Sequence, residues 1–599
     1  IYANAPELCD TLDNDCDGLT DDADSDVVGQ GLYYADSDAD GYGDGNQGTL
    51  TCFQPVGTVS NAGDCNDADV SINPNAQEVC DNIDNDCDGQ TDDADASVTG
   101  QSTWYFDGDN DSFGAGLATV SCEQPINMVL SNGDCNDSSA SINPNAQEVC
   151  DNIDNDCDGL ADDADSSVDT STMTSWYTDA DGDGYGDSTS FLTCDLPTNA
   201  SLQTGDCDDG NGSVYPTAPE DWDCIDTNCD GFAYPLGDGR DGNLTVSGTT
   251  TFTPSATTLT AGLSAGQTQV SVSNGSIFTA GDYVLFWDSF GGSAGSWSVE
   301  YIESVNGNQL TLGNAANSAG ASGTTWAVRL PQYTNVTVSS GSLVASGYGG
   351  SGSPGTGLVA FLANGTVTVN GTISASGKGY RGGARTYSRT QTGQRGESYN
   401  GSNSRSTSGN YSGGGGGRSP SLTHASGGGG GHAGNGGGGT TIGGWGNTAG
   451  GAGSAVGTSS LSSLYYGGSG GSGSLDSDAG GGSYGGAGGN GGGLVLFASA
   501  SVAGGGTIES NGSNGETGYY SNGSASPGGG GGGAGGSLYI VSGANASSLT
   551  LRASGGSGGI GSEAGGSQIR TGGGASGRIR YDMSGGTLSS SPTAYTTCP

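Results

Sequence analysis

The sequence predicts a mostly β and irregular chain in three parts. Loop repeats held by cross-links and ions occupy residues 1–232, a small all-β domain 233–335, and a Gly-rich parallel β-helix or solenoid 336–599. Three observations predict it. Acidic residues and cysteines recur at fixed spacing through the first part. Short runs of alternating apolar residues fill the second. Paired runs of the same kind then recur between long glycine tracts.

Charge divides the chain. The net charge is −52, and 52 of the 65 Asp and Glu residues lie in 1–232, where there is no Lys or Arg. The first basic residue is Arg240. A region so acidic cannot neutralise itself by salt bridges, so it is either disordered or binds cations. Nucleic acid is excluded as a partner, because no basic patch meets phosphate. No apolar run reaches about 18 residues, so no membrane span is expected. The start at Ile1, without Met or a signal-like segment, reads as a mature or truncated form.

The acidic part repeats about every 70 residues. SINPNAQEVCDNIDNDCDG occurs identically at 71–89 and 141–159. Each repeat runs through an aromatic-led acidic loop (WYTDADGDGYGD at 176–187), a Cys-x-x-Pro segment, GDCND or GDCDD, and a DNDCDG-type loop. In the last of these, Asp13, Asp15, Asp17, Asp21 and Asp24 stand at positions 1, 3, 5, 9 and 12, with Gly18 at 6. That is the ligand spacing of an EF-hand-type calcium loop. Asp84, Asp86, Asp88, Asp92 and Asp95 repeat it, as do Asp154, Asp156, Asp158, Asp162 and Asp165. The twelfth residue is Asp rather than the longer Glu, and no amphipathic helices flank the loops. Asp226, Asn228 and Asp230 form a last loop without later acids.

The aromatic-led loops offer Asp36, Asp38, Asp40 and Asp44, then Asp179, Asp181, Asp183 and Asp187. The middle copy keeps Asp107, Asp109 and Asp111 but has Ser112 for Gly and Ala115 for the fourth acid, so weaker binding is expected there. The GDCND segments supply a third class: Asp64, Asn66 and Asp67; Asp134, Asn136 and Asp137; Asp206 and Asp208. Hard oxygen donors in flexible multi-carboxylate loops point to several Ca2+ ions; copper or zinc would want His, Met or thiolate.

Fourteen of the 15 cysteines fall into spaced pairs. Cys9/Cys16, Cys80/Cys87 and Cys150/Cys157 are one class, Cys52/Cys65, Cys122/Cys135 and Cys194/Cys207 another, and Cys224/Cys229 a shortened last pair. This reads as a disulfide framework and an oxidising, extracellular or cell-surface location. The constant spacings favour local pairing, although sequence alone does not fix connectivity. No Cys-x-x-Cys supports a zinc or iron–sulfur site. A cysteine at loop position 4 can turn away from the ion, so a disulfide would fasten the back of the loop while calcium fills its front. Both devices replace a missing hydrophobic core. Cys598 is left over, which suggests a bond to another chain, a free thiol, or a partner lost by truncation.

The pattern GDCND…INPNAQEVCDNIDNDCDG resembles the MopE-like metal-binding repeat of bacterial surface proteins, over roughly residues 1–232. The resemblance implies metal binding, and the family name carries an association with copper. With no His in this part, copper is not carried over. The spacing is also similar to thrombospondin type 3 repeats, which implies a coreless chain organised by calcium.

TLTAGL, QVSVS, DYVLFWD, SVEYIESV, QLTLG and TWAVRLP read as the strands of the small domain, with a hairpin turn at VNGNQL. GLVAFLANGTVTVNGTISASG at 357–377 is echoed at 493–512 and 536–556, each the length of one solenoid coil. The glycine tracts between them are either flexible linkers or ordered arches in extended, polyproline-like conformation. Interspersed Tyr, Trp445, Lys378 and the Arg residues from 381 to 418 favour order.

These features predict a secreted structural protein: a calcium-stabilised, disulfide-stapled filament, matrix or cell-surface subunit that self-associates. The alternative is a calcium-dependent carbohydrate-binding adhesin with surface glycans as partners. A polysaccharide lyase and a copper-binding protein rank below these. No enzyme is expected, because His424 and His432 lie in glycine tracts and no nucleophile–base set is evident.

Overall fold

The computed structural model describes residues 1–222, 225–350, 352–388, 391–401, 404–409, 411–418, 425–441, 448–475, 482–521, 527–545, 548–562, 568–583 and 589–591, and every structural statement below concerns these. Cys224, Cys598, His424 and Trp445 lie outside them. The chain divides into two compact units, 1–178 with 189–202, and 179–188 with 203–599.

The first unit has little apolar interior; Ala5, Ile72, Ile142, Val168 and Trp176 are its buried apolar residues. Each aromatic-led segment is the middle strand of a small antiparallel sheet. Gly31–Ala35 pairs with Thr49–Thr51 and Thr58–Val59, and Ser102–Phe106 with Ala115–Ser121 and Met128–Val129. Thr174–Thr178 repeats this with Ser190–Thr193 and Ala200–Ser201. The helical content here is three single 3-10 turns, Asp21–Ala23, Asp92–Ala94 and Asp162–Ala164. So small a core needs other staples.

The disulfides are those staples, but not with the local pairing that the spacing favours. Cys65–Cys87, Cys135–Cys157 and, in the second unit, Cys207–Cys229 join each GDC segment to the DNDC loop 22 residues later. Cys9–Cys52, Cys80–Cys122 and Cys150–Cys194 join each loop to the Cys-x-x-Pro segment that follows, 42 to 44 residues on. The reason is local geometry. Cys16, Cys87, Cys157 and Cys229 all have positive φ, which aims them away from Cys9 and its counterparts. Cys16 is exposed and free.

In the second unit, six antiparallel strands form one sheet in the order Ala256–Thr258, Thr325–Leu330, Tyr283–Asp288, Trp297–Asn306, Gln309–Leu312, Gln269–Ser271. The hairpin expected at VNGNQL turns at Gly307, whose φ is +60°. A parallel solenoid accompanies it. One stack runs Asn243–Val246, Asn335–Val338, Leu358–Val369, Leu494–Ala503, Ser537–Asn545, Arg578–Met583. The other runs Thr249–Phe252, Ser342–Ala345, Thr372–Ser374, Thr507–Glu509, Thr550–Arg552, Ser589–Ser591. Like side chains stack from coil to coil; the Phe361 and Phe497 rings lie parallel at 4.9 Å. Leu358–Val369 is buried on both faces: Val359 and Phe361 join the core between the stacks, while Leu358, Ala360 and Leu362 pack with Trp287 and Trp326 of the antiparallel sheet. Near-continuous apolar runs are what such a strand requires.

Glycine closes each coil. Along 528–536, successive N–H groups turn to different neighbours and return to the first at every third residue. Gly530, Gly533 and Gly536 donate to Glu516, Ser513 and Ser510; Gly528, Gly531 and Ala534 donate to Ser474, Gly471 and Gly468; Gly532 and Gly535 donate to Gly572 and Ala575, all at 2.7–3.0 Å. Its carbonyls accept from Gly427 and Gly430, from Gly486, Gly489 and Gly492, and from Gly556 and Gly559. This is an array of extended, threefold helices, cross-linked through the backbone. Side chains are forbidden inside it: a Cβ on Gly531 would stand 2.0 Å from the Gly428 carbonyl oxygen, and one on Gly533 1.9 Å from that of Asn490. The glycine tracts described here are ordered arches, not linkers.

Candidate metal centres

Two kinds of carboxylate cluster recur. In the DNDCDG loops the first aspartate ties the turn. Asp84 accepts from the N–H groups of Asp88 (3.1 Å) and Gly89 (3.0 Å), and Asp154 from Asp158 and Gly159 at the same distances. Asp13 accepts from Cys16 and Gly18, and Asp226 from Asp230 and Gly231. With its backbone so curled, the loop turns the side chains at 1, 3 and 5 to one side; oxygens of Asp13, Asp15 and Asp17 lie within 4.8 Å of one another. Asp24, Asp95 and Asp165 at position 12 are buried, and Oδ2 of each has no hydrogen-bond partner. Burial and the fields of Asp17, Asp24 and Asp13 raise the Asp15 carboxyl above its usual range.

The ninth-position aspartates have another task. Asp21 accepts from the Thr11 N–H (3.0 Å), Asp92 from Asn82 (3.1 Å), and Asp162 from Asp151 (2.9 Å) and Asn152 (3.1 Å). A residue that the loop spacing does not flag takes the inner position. Glu7 is fully buried, accepts from the N–H groups of Asn14 (2.8 Å) and Asp21 (3.1 Å), and brings an oxygen within 4.8 Å of those of Asp15 and Asp24. Glu78 and Glu148 make the same two bonds. Glu220, buried beside the last loop, accepts from Thr227 and Asn228, and burial pushes its carboxyl up to about 8. A constant offset of six residues before the first loop aspartate was the available signal.

The aromatic-led loops and the GDCND segments form one cluster rather than two site classes. Gly43–Asp44 pairs in parallel with Ala62–Asp64, which carries Asp64 under the loop. Asp134 and Asp206 are placed alike, by N–H bonds to the Gly114 and Gly186 carbonyls. Ser37 donates to Asp67 through N–H and Oγ, Gly108 N–H donates to Asp137, and Ala180 N–H to Asp209, a residue absent from the predicted ligand set. Burial first, and then the fields of Asp40, Asp38 and Asp67, raise the Asp64 carboxyl. Asp134 feels Asp111, Asp109 and Asp137 in the same way, and Asp206 feels Asp183, Asp181 and Asp209.

The expected fourth acid of these loops is elsewhere. Asp44 accepts from Asn46 and Gln47 in a local turn, which holds its carboxyl below the usual range. Asp187 meets Thr204 through its main-chain oxygen. Ala115 in the middle copy therefore forfeits nothing, and the expectation of a weaker site loses its main ground. What that copy pays is Ser112 at φ +83°. Asn66, Asn136 and Asp208 lend backbone N–H groups to Asp64, Asp134 and Asp206.

Buried oxygens of Asp38, Asp40 and Asp64 have no hydrogen-bond partner; the same holds for Asp109, Asp111 and Asp134, and for Asp181, Asp183 and Asp206. Like charges converging out of water are costly unless a cation joins them. The donors are all carboxylate oxygens, which fits a hard cation.

Segments 1–22, 64–93, 134–163 and 206–233 match the family model Cu-binding MopE, described as "Putative metal-binding motif". The acidic repeats are MopE-like metal-binding motifs. The matched MopE-like segments hold the DNDCDG loops and the GDCND aspartates, whereas the aromatic-led loops that complete the second cluster fall between them. No curated protein matches the chain. Among solved structures the chain is similar to the Gp54 tailspike of Acinetobacter baumannii bacteriophage AP22 in complex with A. baumannii capsular saccharide, at 10% identity and TM-score 0.14, over 58% of this chain and 51% of the tailspike. No helix among the described residues is long and apolar enough to cross a membrane.

Proposed function

We propose that this is an extracellular structural protein of a cell surface or matrix, with residues 1–232 set rigid by several Ca2+ ions and the 233–335 and 336–599 domains forming its load-carrying body. One observation carries the reading: clusters of buried, unpartnered carboxylate oxygens in a region with no Lys or Arg. Calcium is favoured over copper because both His residues lie beyond 232 and the cysteines of 1–232, Cys16 and undescribed Cys224 aside, are in disulfides. Disulfides at this density support an oxidising compartment. The ions would bind the loop aspartates at 1, 3, 5 and 12 with the inner glutamate, and the aromatic-led loop together with its GDCND carboxylates.

The test is titration of metal-stripped protein with Ca2+, Mg2+ and Cu2+, followed by electron microscopy in calcium and in chelator. Tight multi-site Ca2+ binding with weak Cu2+ binding supports the metal assignment; the reverse order defeats it. Filaments or sheets in calcium support self-association into a matrix, and dispersed particles in both conditions remove it.

A further inference from the structure

We propose that the end of the glycine array remote from the β-stacks is a saccharide-binding platform built on Tyr387, Tyr484 and Tyr519 with Arg385 and Glu516. It does not rest on the calcium reading and lies outside the MopE-like segments.

The interior of the array admits no side chain, so its chemistry is confined to the ends of the threefold helices. At one end those helices run directly into the stacks, as where 484–493 enters Leu494–Ala503. At the other end, three chain segments converge. Thr386 and Gly485 exchange backbone hydrogen bonds, as do Tyr484 and Tyr519, and Glu516 O accepts from Gly530. Each segment contributes one tyrosine. The Tyr484 and Tyr519 rings stack at 5.5 Å and 26°, and Tyr387 stands 5.8 Å from Tyr484. Tyr387 is 63% and Tyr519 52% exposed, so two large rings face water on a rigid backbone.

The polar groups are fixed beside the rings. The Arg385 guanidinium lies 4.3 Å from the Tyr484 centroid and forms a two-pronged pair with the Glu516 carboxylate. Glu516 also accepts from the Ala487 N–H (3.1 Å). Aromatic faces next to prepositioned planar donors and acceptors suit a ligand with apolar C–H faces and hydroxyl edges. A sugar has both. Little ordering cost remains, because the backbone and the ion pair are already in place. Nucleic acid would also stack on such rings, but its phosphates meet a chain of net charge −52. A lipid surface would call for aliphatic side chains, and the exposed rings here carry phenol hydroxyls.

The experiment is a printed array of neutral and acidic oligosaccharides probed with the full chain, in calcium and in chelator, followed by calorimetric titration of the best-retained oligosaccharide. Tyr387→Ala, Tyr519→Ala and Arg385→Lys are compared, with thermal melts to verify folding. The expected result is binding that survives chelation and falls at least tenfold in the two Tyr→Ala variants at unchanged melting temperature. Tyr387→Trp should retain it. The proposal is overturned if no oligosaccharide is retained, if the tyrosine variants bind like the native chain, or if chelation alone abolishes binding. Should Tyr519→Ala fail to fold, the more exposed Tyr387 decides.

Discussion

Ser37 donates twice to Asp67, through its N–H at 2.9 Å and its hydroxyl at 2.7 Å, across 30 residues of chain. This fastens an aromatic-led loop to the GDCND segment that follows, so the cation site belongs to both.

Removing the carboxylate that the loop spacing does not supply should therefore cost more than removing the one it does. Asp64→Asn is expected to lower Ca2+ affinity at its loop by tenfold or more, about 1.4 kcal/mol. Asp44→Asn should change it less than twofold. Calorimetry on both variants decides. The Asp107–Asp109–Asp111 loop should bind within about tenfold of its neighbours.

Glu78 holds its loop through two backbone N–H groups, at 2.8 and 3.0 Å. Glu78→Gln keeps the shape but can accept only through one oxygen. It should weaken both calcium binding and thermal stability, by roughly 1–3 kcal/mol for the buried group left without its partner. Unchanged calcium stoichiometry with an unchanged melt would show the glutamate to be dispensable.

Non-reducing peptide mapping should recover Cys65–Cys87 and Cys80–Cys122 rather than Cys80–Cys87. In the folded chain Cys16 should react with a maleimide while its counterpart Cys87 does not. Opening one 22-residue loop by Cys65→Ser with Cys87→Ser should cost about 3 kcal/mol.

Gly531→Ala tests the array. Its new methyl meets a backbone oxygen at 2.0 Å, with no flexible side chain to give way. A loss of roughly 1–3 kcal/mol is expected from such overpacking. The same change at Gly438, where nothing stands within 4 Å, should be nearly neutral.

His432 is fully buried without a partner for either ring nitrogen, and burial, followed by the charge of Arg578, pushes it down to about 3. It is neutral in the fold and takes a proton in the unfolded chain below about pH 6.5. The unfolded state then binds more protons, so stability falls as the pH drops from 6.5 toward 3. Between pH 7 and pH 5 the native chain should lose about 2 kcal/mol relative to His432→Leu. Denaturant melts at the two pH values measure this.

Sequence by itself determined the repeat, the ligand chemistry and the solenoid coils. Aspartates at 1, 3 and 5 beside glycine can only curl one way, and the 357–377 segment and its echoes bury alternate apolar residues as predicted. What it could not decide was which distant groups meet. The sulfur pairs, the inner glutamates and the joining of Asp64 to Asp38 and Asp40 all depend on strand pairing between segments tens of residues apart. The glycine tracts stayed ambiguous for a related reason. Glycine leaves the backbone free, and only neighbouring helices that accept every third N–H hold it in one conformation.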